Sequence, residues 1–231
     1  MKIFDYQKIK EWIPYLLEGI GITLLIALVA AIFGLIIGIV LVLMTKRSGF
    51  KRLASIYIDI FRGTPLLLQL SIVYFALPQL LNSIINNGFG GNYDFSIPGL
   101  LAVFITFSLN SGAYISEIIR SGINSVDKNE IEAATSLGVS KYNIYKDIII
   151  KIAFKNSFPA LVNELTTLIK ESSIASIIGI ADLMRRSTIV SSQTFMYFEP
   201  LIVVGIVYYI LIKVITLVSK KIEVRMSYDK S

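Results

Sequence analysis

Between residues 125 and 155 the chain reads SVDKNEIEAATSLGVSKYNIYKDIIIKIAFK, and this stretch decides how the rest can be arranged. The sequence on either side is apolar enough to cross a lipid bilayer, whereas this stretch carries too many charges to do so. A buried loop would not carry these charges, and an ordinary surface loop would not need the apolar faces that the pattern contains. The stretch therefore predicts a docking element for another protein.

Two short helices with a glycine between them are predicted inside this stretch. Asp127 and Glu130 stand three residues apart ahead of good helix formers, as in a capping box, and predict a first helix over 128–137. Gly138 occupies the position at which a helix end favours a left-handed residue. Ser140 is suited to cap the second helix. Gly138 is therefore the predicted hinge of the element.

The composition is that of a membrane protein. Of 231 residues 55% are hydrophobic and the mean hydropathy is +0.71, with apolar residues in long blocks rather than short periodic runs. The net charge of +6 forms no basic face on a soluble domain, which argues against nucleic-acid binding. The absence of Cys and His removes disulfides, thiol nucleophiles, the usual zinc ligands and histidine acid–base catalysis. Neither an enzyme nor a metal site is therefore expected.

The apolar blocks predict an all-α integral membrane protein with one domain covering residues 1–231. The five predicted transmembrane helices are 13–44, 53–81, 97–119, 156–179 and 200–218. Cations of the first loop, the central stretch and the C-terminal tail then share one side, which the positive-inside rule makes cytoplasmic. The N-terminus and the loop over 81–95 are expected outside and the C-terminus inside. An amphipathic segment over 181–195, with Arg185 and Arg186 as exceptions to the rule, is expected on the outer surface.

Small residues form a stripe on the first predicted span, and the stripe includes a GxxxG pattern. Its members are Ala27, Ala30, Ala31, Gly34 and Gly38. Such a stripe lets another helix approach closely. Packing against a helix of the same subunit is the favoured interpretation, and a contact with a second subunit is the alternative.

Two prolines are expected to shape the spans. Pro65 kinks or restarts the second predicted helix, just after Asp59 and Arg62, which stand three residues apart and can pair near the membrane edge. Pro159 is expected in the first turn of the fourth span, which would start near Asn156.

Polar and ionisable residues in the predicted spans mark a second feature. On the third span Asn110 and Tyr114 share a helix face with Glu117, which Arg120 can neutralise. On the fourth span the polar positions include Asn163, Glu164, Thr167, Lys170 and Glu171. Ionisable groups at membrane depth normally face a bundle interior or a water-filled cavity. These stripes favour a polar cavity over a Glu–Lys pair that only holds helices together, and Gln69 of the second span would line the cavity or bond a neighbouring helix.

The chain carries a motif, Glu132-Ala133-Ala134 followed after three residues by Gly138, that resembles the EAA loop of importer-type ABC-transporter permeases. The match extends to FRGTPLLLQL, AYISEIIRSGINSV, EIEAATSLGVSKYNIYKDIII, FPALVNELTTLIKESSIAS and the FEP before the last span. Together these motifs resemble the polar amino-acid permease branch over nearly the whole chain. The resemblance implies a type I importer permease fold. It also implies that Glu132, Ala133, Ala134 and Gly138 form the coupling contact with a groove of a cytoplasmic ATPase.

One departure from the family pattern is Lys151. The family usually has a proline at this position, after the second helix of the EAA loop. Without that proline, the helix is expected to continue unbroken towards Lys155.

The resemblance also implies a set of partners. They are a cytoplasmic dimer of ABC ATPases, a second permease subunit that is identical or homologous, an extracytoplasmic substrate-binding protein and an amino acid, in the cytoplasmic membrane of a bacterium. The chain contains no GxxxxGK[ST] phosphate loop, so ATP and Mg²⁺ would be bound by the ATPase and no cofactor by this chain.

These features predict ATP-driven import of a polar amino acid by alternating access. Basic or neutral polar substrates are favoured, because the carboxylates outnumber the cation on the polar stripes. The predicted substrate-binding residues are Asn163, Glu164 and Thr167 at the centre, with Asn110, Tyr114, Glu171 and Gln69 around them.

Three alternatives stay open from the residues. The first is a permease of the same fold for another small solute. The second is a secondary transporter or channel, which would usually show inverted repeats within one chain. The third is a membrane-embedded hydrolase, for which Lys170 with Ser172 or Ser173 is the candidate site.

Overall fold

The computed structural model describes residues 6–89 and 93–228, and every regular element among them is helical. The helices in chain order are α1 Tyr6–Lys10, α2 Ile13–Leu17, α3 Gly19–Thr45, α4 Ser48–Gly63, α5 Leu66–Ser71, α6 Leu77–Phe89, α7 Gly99–Asn124, α8 Lys128–Ser136, α9 Lys141–Asn143, α10 Ile150–Glu171, α11 Leu183–Thr194 and α12 Phe198–Tyr228. π-helical segments Ile72–Ala76 and Ile144–Ile149 join α5 to α6 and α9 to α10, and a 3₁₀ segment, Ser172–Ile178, follows α10. The predicted all-α fold class is confirmed.

Four helical stretches among residues 6–89 and 93–228 are long and apolar enough to cross a membrane. They are Ile13–Thr45, Leu66–Gly88, Gly99–Asn124 and Phe198–Met226. Three of these stretches coincide with the predicted spans 13–44, 97–119 and 200–218, although the last two helices continue past their predicted ends.

The second predicted span, 53–81, is not one continuous helix, and the restart expected at Pro65 is observed. Thr64 and Pro65 are extended, with ψ angles of 147° and 137°, and they end α4. A residue before proline is pushed out of the α region, so the helix stops there and restarts. The apolar stretch that can cross the membrane is Leu66–Gly88, and α4 is a separate amphipathic helix.

The predicted external loop over 81–95 is helical in its first part, since α6 runs to Phe89. Residues 90–92 lie outside the described part of the chain. Asn82 holds the returning segment: its side-chain oxygen accepts from the Phe95 N–H at 2.7 Å, and its amide donates to the Phe95 carbonyl at 2.9 Å. The sequence pattern placed Asn82 in a loop. In the structure Asn82 lies in α6, and its side chain holds the segment that follows this helix.

The fourth predicted span, 156–179, corresponds to α10 and the 3₁₀ segment after it. α10 starts six residues early, so Pro159 lies inside the helix rather than in its first turn. α10 is not among the four apolar stretches, because charged residues are spread along it. It nevertheless packs inside the bundle, where Leu168 and Ile169 are each 1% exposed. The count of five spans stays a prediction.

The small-residue stripe of α3 packs against α7 of the same chain. A Cβ on Gly34 would lie 3.0 Å from Ser111 Cβ, and a Cβ on Gly38 would lie 2.8 Å from Ile115 Cγ2. Side chains at these positions would push the two helices apart, so the glycines permit the close approach. The favoured prediction, packing within the subunit, is confirmed.

The main apolar core joins α3, α5, α7 and α10. Its fully buried members include Ile26, Ala30, Leu70, Phe107 and Leu168. In a bilayer the lipid is as apolar as these side chains, so close packing rather than transfer from water holds the helices together. The core fixes α7 and α10 side by side, and their polar faces therefore meet.

The predicted amphipathic segment over 181–195 forms the helix α11. Asp182 caps it by accepting the Arg185 N–H at 2.8 Å, and burial raises the pKa of the Asp182 carboxyl above its ordinary value. Arg186 donates to the Tyr15 carbonyl at 3.0 Å and to Glu18 at 2.6 Å. α11 is thereby tied to the start of the first apolar stretch.

Candidate functional site

A cavity of about 340 Å³ lies between the polar faces of α7 and α10. Its wall consists of Asn110, Tyr114, Ala160, Asn163, Glu164, Thr167 and Glu171. The volume lies within the range of small-molecule sites. Six of the seven residues predicted to bind substrate therefore line one cavity; Gln69 does not.

Glu164 is the carboxylate whose position is best defined. Ser111 of α7, which is fully buried, donates its hydroxyl hydrogen to Glu164 Oε1 at 2.7 Å. This bond joins α7 to α10 across the cavity wall and fixes one carboxylate oxygen, while the other oxygen has no protein donor among the described residues. Glu171 lies on the same wall two turns further along α10, roughly 10 Å away along the axis. The cavity thus carries two separated carboxylates.

Lys170 does not neutralise these carboxylates directly. It is absent from the cavity wall, and within the described part of the chain no salt bridge joins it to Glu164 or Glu171. The alternative in which a Glu–Lys pair only holds helices together is therefore not what the structure shows. Both carboxylates therefore lie on the cavity wall without an ion pair to Lys170.

Gln69 lies behind the cavity wall and supports Asn110. Its side-chain oxygen accepts from Asn110 Nδ2 at 3.0 Å, and its amide donates to the Phe61 carbonyl at 2.9 Å and to Thr64 Oγ1 at 2.9 Å. Asn110 also donates to the Phe61 carbonyl at 3.0 Å. Gln69 therefore ties Asn110 to the break between α4 and α5, where carbonyl groups lack helical partners. Of the two predictions for Gln69, the bond to a neighbouring helix is the one observed.

A charged cluster adjoins the Tyr114 end of the cavity. Glu117 pairs with Arg120 at 2.5 Å, as predicted, and with Arg62 at 3.5 Å. The Arg62 guanidinium also lies 5.5 Å from the centre of the Tyr114 ring. The predicted partner of Arg62 was Asp59, on its own helix; the observed carboxylate comes from α7, 55 residues later in the chain.

Sequence reasoning missed three residues at this site: Ser111, Ala160 and Arg62. Ser111 follows Asn110 directly and lies off the helix face that Asn110, Tyr114 and Glu117 share. Ala160 has no polar atom to mark it. Arg62 reaches the cavity wall only because α4 packs against α7. No local pattern contains that information.

The docking element has the predicted capped geometry. Asp127 caps α8 by accepting the Asn129 N–H at 2.9 Å, although a capping box would use the N–H of Glu130. Ser140 caps α9 by accepting the Asn143 N–H at 3.3 Å. Gly138 has φ +76°, in the left-handed region, as predicted.

Two backbone bonds around Gly138 close the end of α8. The Gly138 N–H donates to the Thr135 carbonyl at 3.0 Å and the Val139 N–H donates to the Ala134 carbonyl at 3.1 Å. This pair of bonds is the Schellman motif, which needs a left-handed residue at the position of Gly138. The turn is therefore encoded within about ten residues of sequence.

The four residues predicted to couple to an ATPase divide between two faces. Glu132, Ala133 and Gly138 are exposed, whereas Ala134 is buried. Leu137 next to the hinge is 84% exposed and Tyr142 is 72% exposed. Large apolar side chains this exposed on a capped, rigid turn form a surface suited to a protein partner.

The backbone after Gly138 stays helical from Lys141 to Glu171, with a π-helical segment over Ile144–Ile149, as expected from the absence of a proline at position 151. Lys151 instead pairs with Asp147 at 3.2 Å, four residues earlier and on the exposed side. The docking element is thus joined to the cavity-lining helix α10 by continuous helical backbone.

Comparisons with known proteins agree with this architecture. A family model described as "Binding-protein-dependent transport system inner membrane component" matches residues 30–228. The arginine transport system permease protein ArtQ of Bacillus subtilis (strain 168) is 48% identical over 95% of both chains. A putative glutamine transport system permease protein GlnP of Rickettsia felis is 46% identical over 97% of this chain and 99% of its own. A solved structure of an amino acid ABC transporter with histidines superposes with a TM-score of 0.86 at 36% identity, covering 96% of this chain and 99% of that one.

Proposed function

The chain belongs to the family of binding-protein-dependent transport system inner membrane components, and from this we propose that it is a permease subunit of an ATP-driven importer of polar amino acids. The relatives named as arginine and glutamine permeases cover almost the whole chain and support an amino-acid substrate. The observation that carries the proposal is the cavity between α7 and α10, with Glu164 and Glu171 on its wall.

The chemistry of the cavity suits a zwitterion with an exposed ammonium group. Glu164 presents one carboxylate oxygen to the cavity while Ser111 holds the other, and Asn163 and Thr167 supply neutral hydrogen-bonding groups beside it. A carboxylate bound to an ammonium forms a charge-assisted hydrogen bond, which is stronger than a neutral one. With a second carboxylate at Glu171, the site favours basic or neutral polar amino acids over acidic ones.

In this proposal the docking element couples ATP hydrolysis by the partner ATPase to transport. The chain has no phosphate-binding loop, so ATP and Mg²⁺ bind to a separate ATPase, which receives Glu132, Ala133 and Gly138 on the exposed face of the turn. Closure of an ATPase dimer moves the docked turn, and the continuous helix from Lys141 to Glu171 transmits the displacement to the cavity wall. Alternating access then follows from rigid-body rocking of two permease subunits.

Transport by the reconstituted complex tests this proposal. The chain is co-expressed with its ATPase, any second permease subunit and its binding protein, and uptake of labelled arginine and glutamine into proteoliposomes is measured with and without ATP. We expect ATP-dependent uptake that unlabelled basic and neutral polar amino acids reduce and glutamate does not. Uptake driven by an ion gradient without ATP would instead identify a secondary transporter. If no unlabelled amino acid reduced the uptake, amino acids would be excluded as the substrate class.

A further inference from the structure

A second cavity, apolar and separate from the candidate substrate site, opens between α3, α7 and α10. Its volume is about 390 Å³, and its wall includes Leu35, Ile39, Leu43, Ile123, Tyr145 and Ile150. No acidic or basic side chain lines it. We refer to it as the apolar crevice.

Cations stand at one end of the apolar crevice. Lys46 donates to the Tyr145 hydroxyl at 3.3 Å and lies 5.1 Å from the centre of the Tyr145 ring, so Tyr145 connects this ammonium group to the crevice wall. Arg47 lines an adjoining apolar pocket of about 330 Å³ that shares Leu43 with the crevice. Both cations are exposed, and within the described residues neither pairs with a carboxylate.

The start of α4 adds to the positive potential at this end. Arg47 is its N-cap residue, and the first turn contains no acidic residue but includes Lys51. A helix N-terminus carries a partial positive charge that favours anions. This end of the crevice therefore favours a negative group, while most of its wall is apolar.

The dimensions match a single lipid chain. Leu35 and Leu43 on the wall are eight residues apart on α3, which is about 12 Å along the axis, against a hydrocarbon leaflet of roughly 15 Å. An extended acyl chain fits along this length of apolar wall.

We propose that the apolar crevice and Lys46–Arg47 together bind an anionic phospholipid of the cytoplasmic leaflet, with one acyl chain in the crevice and the headgroup phosphate against the two cations. The inference rests on the cytoplasmic side expected for this loop, where anionic lipids attract juxtamembrane Lys and Arg. Tyr145 belongs to the π-helical segment between α9 and α10, so the bound lipid lies against the path between the proposed ATPase contact and the candidate substrate cavity.

The test measures lipid retention by the full chain in its complex. The complex is purified in mild detergent, incubated with a mixture of phosphatidylglycerol and phosphatidylcholine, and the bound lipids are counted by native mass spectrometry. We expect a preference for phosphatidylglycerol that the double variant Lys46→Gln/Arg47→Gln reduces about 30-fold, since each cation near an anionic surface contributes about 1 kcal/mol. Lys220→Gln/Lys221→Gln removes the same charge from the end of α12 and should leave retention within twofold.

A second pair of variants tests the crevice itself. Ile39→Trp fills it, whereas Ile36→Trp places the same side chain on a similarly exposed position of α3 that lines neither the crevice nor its adjoining pocket. Only Ile39→Trp should reduce retention of phosphatidylglycerol. Equal retention of the two lipids by the unaltered chain, or equal effects of the two tryptophans, would overturn the proposal. So would a disulfide between two copies carrying Ile150→Cys, because that result would place a second copy over the crevice. None of these readouts depends on transport, so a failure here leaves the proposed function unaffected.

Discussion

The hydrogen bonds that cap α8 and α9 and close the turn at Gly138 join residues two to five apart in the chain, whereas those that hold Asn110 and Glu164 at the candidate substrate cavity join residues 41 to 53 apart. The caps of α8 and α9 and the turn at Gly138 involve only neighbouring residues, so they need no contact with another helix. Asn110, Gln69 and Glu164 are positioned only when α4, α5, α7 and α10 have packed. The geometry of the first region therefore depends on its own residues, and that of the second depends on the whole bundle.

The largest effect is expected at Glu164. Glu164→Gln keeps the shape and an acceptor for Ser111 but removes the charge offered to an ammonium group, and we expect uptake at subsaturating substrate to fall roughly 10- to 100-fold, since hydrogen bonds to charged groups contribute about 1.5–3 kcal/mol. Uptake assays with matched membrane levels measure this. Glu223→Gln, at the end of α12, serves as a control for loss of one acidic charge. Unchanged uptake with normal ATP hydrolysis would show that the cavity is not the binding site.

Gly138→Val should uncouple ATP hydrolysis at the docking element from transport through the cavity. The left-handed conformation costs an L-residue about 1–2 kcal/mol, and a β-branched one more, while an added Cβ would meet no atom within 4 Å. We expect membrane insertion to be intact, with transport per ATP hydrolysed reduced about tenfold. Parallel measurements of uptake and phosphate release give this ratio. Gly138→Asn is the control, because Asn tolerates the left-handed region, and an equal loss in both variants would refute a backbone cause.

Gln69→Leu tests whether the cavity wall depends on distant support. It removes the acceptor of Asn110 and the donor to the Phe61 carbonyl, and unsatisfied buried groups cost about 1–3 kcal/mol of stability. We expect a lower thermal unfolding temperature and a three- to tenfold higher half-saturation concentration for uptake. Gln193→Leu makes the same chemical change on the exposed face of α11 and should alter neither quantity. If both variants behave alike, Asn110 does not need this support.

The smallest effect is expected at Lys151. Its pair with Asp147 is exposed at both ends, and i,i+4 pairs of this kind contribute about 0.3–0.5 kcal/mol. Lys151→Ala should therefore keep uptake within twofold of the unaltered chain. A double-mutant cycle with Asp147→Ala measures the pair, and a coupling energy above about 1 kcal/mol would show that the pair holds the docking element in place.

The sequence predicted the docking element more closely than the spans around it. The caps at Asp127 and Ser140 and the left-handed Gly138 each follow from residues a few positions away, and each is observed. The restart of the helix at Pro65 was also predicted, but α4 before it, with Asp59 and Arg62, is an amphipathic helix rather than the first part of the apolar stretch. The helical stretch over 81–89 was not predicted, because asparagine favours loops. In the structure the Asn82 side chain bonds the backbone of Phe95, a contact that the local sequence does not reveal.

By itself, the sequence determined the all-helical class, the polar stripes of α7 and α10 and the turn of the docking element, because helical periodicity and capping act over one or two turns. Only the tertiary structure decided that Ser111 fixes Glu164, that Gln69 supports Asn110 and that Arg62 pairs with Glu117 rather than Asp59. These contacts depend on which helix faces approach each other, and that approach is set by Gly34 and Gly38 packing α3 on α7 together with the core shared with α10. The docking element is thus a property of its own residues, and the cavity is a property of the packed bundle.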